Sequence, residues 1–119
     1  MASNKPKHKR GDIWLVDFDP THPDEVGKVR PALIIQDDDV NEYYNSTVAL
    51  PFSTVVMPDN EPLRVHYSGL SFLDRPSDLL IAQIRVISTS RLVKKLGSMP
   101  SSEMPKISQY IGLVLGLKQ

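Results

Sequence analysis

The apolar positions of this chain come in short, separated runs. Ile13, Trp14, Leu15, Val16 and Phe18 fill most of residues 12–18, with one polar break at Asp17. A run this short and this rich in strand formers predicts a β-strand. Residues 31–36 contain Ala32-Leu33-Ile34-Ile35, too short for a helix and bounded by turn residues, which predicts a buried strand. Asn45-Ser46 opens a third strand over residues 47–52, in which Pro51 signals an end, a bulge or an edge position. Leu63, Val65 and Tyr67 alternate with Arg64 and His66, the mark of a half-buried strand. Residues 78–82 and 84–87 predict two more strands, and Leu92-Val93 a short one.

The intervening segments read as connections. Pro20 and Pro23 keep residues 19–23 extended or turned. Residues 37–41, with three consecutive aspartates, predict a turn or a single helical turn. Residues 56–62 predict a loop, mobile by composition, residues 68–77 an irregular segment, and residues 97–100 a turn. Only the end of the chain has helical spacing. Met104, Ile107, Ile111 and Val114-Leu115 fall on one stripe. Ser102 is the expected N-cap, because Pro105 then sits in the first turn, where its missing N–H has no intrahelical partner to lose. Gly112 and Gly116 weaken this helix or let it pack closely. Many short strands followed by one helix predict a mainly β fold, a small and partly open barrel with a C-terminal helix packed on it.

A chain of 119 residues fits one domain, expected over residues 11–119 behind a basic N-terminal tail, residues 1–10. That tail reads as a solvated segment, with a basic arm on phosphates as the other reading. Fourteen Lys and Arg balance fourteen Asp and Glu, so nucleic acid would have to be bound through a local patch. With no cysteine, thiolate metal sites and cysteine nucleophiles are excluded, and a reducing cytoplasm is the expected setting. No apolar run reaches membrane-spanning length, so no membrane association is expected.

Chemistry concentrates between the first two strands. Arg30 follows Gly27-Lys28 and is backed by Pro31. A guanidinium fixed at the mouth of a strand matches a phosphate with its planar fork; an ion pair with Asp24 or Glu25 explains it equally well. Ser53 and Thr54 close the third strand, where their hydroxyls bind a phosphate or shape a turn. His8, His22 and His66 show no metal-site spacing. His22 is a loop histidine that could move protons, and His66 reads as an exposed strand residue. The Asp37-Asp38-Asp39 triplet lacks the glycine and distal glutamate of a calcium loop, so turn and helix-start charges explain it better. No metal or cofactor is expected.

Four segments in order carry a resemblance. Gly11-Asp12-Ile13-Trp14-Leu15-Val16-Asp17-Phe18-Asp19-Pro20-Thr21, then Glu25-x-Gly27-Lys28-x-Arg30-Pro31-Ala32-Leu33-Ile34-Ile35, resemble the MazF/PemK toxins of bacterial toxin–antitoxin systems. Val48-Ala49-Leu50-Pro51-Phe52-Ser53-Thr54 and Asp78-Leu79-Leu80-Ile81-Ala82-Gln83-Ile84-Arg85-Val86-Ile87 continue it, and the terminal helix fits. The resemblance implies an SH3-like, CcdB/PemK-like barrel and a homodimer. It also implies a metal-independent, sequence-specific endoribonuclease acting on single-stranded RNA. The RNA's own 2′-hydroxyl would attack, leaving 2′,3′-cyclic phosphate and 5′-hydroxyl ends. Arg30 and Ser53 map to the catalytic positions, with Thr54, Glu25, Lys28, Gln83 and His22 as further RNA-binding or catalytic positions. A cognate antitoxin would cover the cleft. The alternative on the same barrel is a non-catalytic, CcdB-like binder such as a gyrase poison. The loop departs from the family's Glu-Gln-Gly-Gly form, reading Glu25-Val26-Gly27-Lys28, so no residue is assigned to proton transfer.

Overall fold

The computed structural model describes residues 7–18 and 28–117. Strands β1 (Asp12–Asp17), β2 (Val29–Ile34), β3 (Ser46–Ser53), β4 (Arg64–Tyr67), β5 (Ser77–Leu80), β6 (Arg85–Ser88) and β7 (Leu92–Ser98) form one antiparallel sheet. Helix α1 (Asp38–Tyr43) follows β2, and helix α2 (Met104–Val114) ends the described chain. The order along the sheet is β4-β5-β3-β2-β1-β7, with β6 also paired to β3. The sheet does not close, which agrees with the expected partly open barrel.

Strand β2 explains why its sequence is an unbroken apolar run. Leu33 packs in a cluster with Ile13, Leu50, Phe52, Leu79 and Ile107 on one face. Its neighbours Ala32 and Ile34 pack with Val16, Phe18, Ala49 and Ile87 on the other. From Ala32 to Ile34 both faces exclude water, so each of these positions is apolar and buried.

Strand β3 holds the sheet together. It pairs with β2 along one edge. On the other it pairs with β6 through residues 46–49 and with β5 through Phe52 and Ser53. Pro51 lies in this hand-over. Opposite Ala32 it occupies a non-hydrogen-bonded position of the β2 ladder, so its nitrogen faces the gap between β6 and β5. Pro51 is therefore interior to the sheet, and the missing N–H falls where no partner strand needs it.

Several boundaries differ from the sequence expectation. The fifth strand stops at Leu80, and Ile81–Gln83 form a 3-10 turn. The short strand at Leu92-Val93 extends to Ser98, absorbing half of the expected turn. Gly97 allows this, since a Cβ there would lie 2.5 Å from the Phe72 ring. Leu63 precedes β4 and is exposed instead of lying on its apolar face. Ser102 does not cap α2. It sits in a 3-10 turn, Ser101–Glu103, and Glu103 is the N-cap, with no side-chain bond to the helix backbone. Pro105 still falls in the first helical turn, where its lack of an N–H costs nothing.

Residues 8–10 are fastened to the body. His8 is buried, and Arg10 N–H donates to Asp38 Oδ1 at 2.7 Å. The Arg10 guanidinium donates to Ile35 O and, at 2.8 Å, to Ser108 Oγ on α2. Residues 8–10 of the expected tail are thus held in place. The aspartate triplet serves as anchor and cap, Asp37 Oδ2 accepting the Asp39 N–H at 2.9 Å.

Candidate active site

Lys28 immediately precedes strand β2, and its carbonyl accepts the Phe18 N–H at 2.8 Å. Lys28 has φ +65°, a left-handed conformation that costs a side-chain-bearing residue about 1–2 kcal/mol. Arg30 lies opposite Val16 and is partly buried. Lys28, Arg30, Thr54, Asp74, Arg75 and Ser77 border a cleft of about 290 Å³ around the ends of β2 and β3. Among the described residues of the cleft's lining are three cations and one carboxylate, a balance that suits an anion. Its volume lies at the small end of ligand pockets, enough for one nucleotide's phosphate and sugar.

Ser53 and Thr54 part company at the end of β3. Ser53 is 8 % exposed, and its Oγ accepts the Val55 N–H at 3.1 Å. The hydroxyl keeps its proton to donate. Thr54 is exposed and forms cleft wall. Carrying the β2–β3 register two residues beyond Ala32–Pro51 sets Ser53 level with Arg30. Ser53 is paired in turn with Asp78 of β5, and Asp78 with His66 of β4. Paired residues share a face, so Arg30, Ser53, Asp78 and His66 form a polar row across four strands.

Asp78 is the most enclosed charge of this row, with a side chain 1 % exposed. Its Oδ2 accepts Arg64 Nε at 2.8 Å and the Met57 N–H at 2.9 Å, and its Oδ1 lies 2.9 Å from His66 Nδ1. Burial pushes the carboxyl up, but the bonds from Met57, His66 and Arg64 together outweigh it and hold the group below its ordinary value. Arg64 also donates to Val55 O at 2.6 Å. The loop expected to be mobile, residues 56–62, is thereby tied down at Met57, and Val55 just before it is held by Arg64. Tyr110 on α2 donates to Glu61 at its far end.

Of the remaining sequence candidates, Gln83 ends the 3-10 turn between β5 and β6 and is partly buried. Glu25 and His22 lie outside the described residues. Two site residues escaped the sequence reading. Arg75 falls in the segment expected to be irregular, although Arg75-Pro76 before β5 repeats the Arg30-Pro31 arrangement in β2. His66 is exposed as expected but is bonded to Asp78. Arg64 and His66 on one face of β4 were the available signal, as two polar residues facing one side call for a polar partner.

The PemK-like, MazF-like toxin model of type II toxin–antitoxin systems matches residues 9–115. The chain belongs to this family. Among curated relatives, the endoribonuclease MazF of Staphylococcus epidermidis is 32% identical over 110 residues, covering 92% of each chain. A mycobacterial endoribonuclease structure superposes with a TM-score of 0.78 at 20% identity, covering 98% of this chain and 99% of that one. A second mycobacterial endoribonuclease, solved in complex with its cognate antitoxin, gives 0.76 at 22% identity over 94% and 98%. These structures share the MazF-like fold of an open antiparallel sheet with a C-terminal helix.

Proposed function

We propose that this MazF-like toxin is an endoribonuclease that cuts single-stranded RNA without a metal ion. The 2′-hydroxyl attacks the adjacent phosphorus and leaves 2′,3′-cyclic phosphate and 5′-hydroxyl ends. The observation that carries the reading is the cationic cleft where Lys28, Arg30 and Thr54 meet at the ends of β2 and β3. The relatives named endoribonuclease MazF support the reaction class. Arg30 stabilises the charge that develops on the phosphoryl oxygens. Ser53 donates its free proton to the same phosphate, and Thr54 and Lys28 hold the flanking backbone. Gln83, Glu25 and His22 are further RNA contacts.

The protein works in the cytoplasm as a homodimer, one domain spanning residues 11–119 in each copy. Exposed Leu113, Leu115 and Leu117 at the end of the helix are apolar surface that a second copy would cover. A cognate antitoxin, as in the mycobacterial complex, closes the cleft. The test is incubation of a long single-stranded RNA of mixed sequence with the protein in EDTA. Cyclic-phosphate ends that vanish with Arg30→Ala support the reading. Growth arrest on expression with intact mRNA and no such ends sinks it in favour of a CcdB-like binder.

A further inference from the structure

The cleavage proposed above needs a group that removes the 2′-hydroxyl proton. A general base must be oriented, reachable, and placed to meet that proton in a plausible substrate pose. His66 meets each requirement. Its Nδ1 lies 2.9 Å from Asp78 Oδ1, and the carboxylate keeps this nitrogen in its N–H form, leaving the Nε2 lone pair available. The His66 side chain is 46 % exposed, and Nε2 has no partner among the described residues. It borders a cleft formed by β4, β5 and the loop carrying Met57 and Asn60.

Placement follows from register. Ser53, Asp78 and His66 are successive partners on neighbouring strands and share one face. Two strand spacings put Ser53 and His66 about 10 Å apart between Cα atoms. A phosphate held by Ser53 and a ribose hydroxyl reaching toward His66 fill that interval. Asp78 lies between them but is buried and neutralised by Arg64, so it orients the ring without meeting the phosphate.

We propose that His66 is the general base of the RNA cleavage, with Asp78 as its positioning residue. This rests on the ribonuclease reading. The 2′-hydroxyl proton passes to Nε2 as the 2′-oxygen bonds to phosphorus. The P–O5′ bond breaks, and the departing 5′-oxygen takes a proton from water. The imidazolium then returns its proton to solvent. Asp78 from β5 bonds the ring, and the other charged groups lining the same cleft are Arg64 from its own strand and Asp59 and Glu61 from the loop.

The experiment measures single-turnover cleavage of a long mixed-sequence RNA in EDTA across pH, for wild type, His66→Asn and His66→Ala. Asparagine keeps a donor for Asp78 and cannot act as a base, so the fold and the loop contacts are retained. The expected result is a loss of about 10²- to 10⁴-fold in rate at unchanged melting temperature, with the acid limb of the rate–pH profile gone. Exogenous imidazole restores part of the rate to His66→Ala. Cleavage by His66→Asn as fast as wild type, with the acid limb intact, overturns the assignment. No cleavage by wild type overturns the ribonuclease reading as well, so the two failures are distinct.

Discussion

The cleft at Arg30 and the cleft at His66 border the same end of β3, but one is assembled from exposed and partly buried cations and the other around a buried carboxylate. The first spends little folding energy and depends on charge and access. The second depends on complete pairing, because a carboxylate taken out of water costs several kcal/mol unless its oxygens are bonded. Asp78 has three such bonds, and they also fix the loop from Val55 to Met57. Substitutions on the first side should therefore change rate and affinity. Those on the second should change stability unless the hydrogen bond to Asp78 is kept.

The largest expected effect follows from removing Asp78. Asp78→Ala leaves Arg64 without its partner and the loop without its anchor, and should cost about 3–5 kcal/mol, read as a lower urea midpoint. A midpoint near wild type would mean that the loop carries its own stability. Arg30→Ala is the opposite case. Its cleavage rate should fall about 10²- to 10³-fold, while the urea midpoint stays put. Equal loss of stability and rate would erase the contrast between the clefts.

The two hydroxyls at the end of β3 sharpen it. Ser53→Ala removes the acceptor of the Val55 N–H and should lower stability by about 1 kcal/mol, together with a lower kcat. Thr54→Ala should leave the midpoint and kcat alone and raise KM. Acid titration gives a further check. The Asp78 carboxyl is held below its ordinary value of 3.8, so its pairing stabilises the fold above that value. The contribution is lost as pH falls through the lower folded value. The stability of Asp78→Asn should fall less steeply with acid than that of wild type. The smallest effect is expected for Lys28→Gly. Relief of the left-handed backbone should stabilise by about 1 kcal/mol. Binding to an uncleavable 2′-deoxy strand should become less salt-dependent, with a slope smaller by about 0.7.

What could be read from the sequence depended on whether a position answers to its chain neighbours or to another strand. Strands β1, β2 and β3 were legible because their apolar runs face two buried clusters at once. The extent of β7 was not, since Val93, Lys94 and Lys95 are exposed on a strand with one partner in the sheet and show no period. The cap of α2 was misplaced because a 3-10 turn, which periodicity does not register, precedes the helix. Arg30 was legible because the proline beside it fixes its place in the chain. His66 was not, because its partner lies twelve residues away on β5, and only strand pairing brings them together.

The fastening of Arg10 to Ser108 bears on when the protein becomes whole. The two residues are 98 positions apart, and β1 pairs with β7 over 76 to 86 positions, from Val16–Leu92 to Asp12–Ser98. At about 5–20 residues per second of synthesis, the first strand leaves the ribosome roughly 5–20 s before the segments that complete its edge and its anchor. The cleft at Arg30 is lined from β2, the end of β3 and residues 73–77, all of which emerge before β7 and α2. The chain's last quarter therefore sets the moment at which the cleft gains its final support.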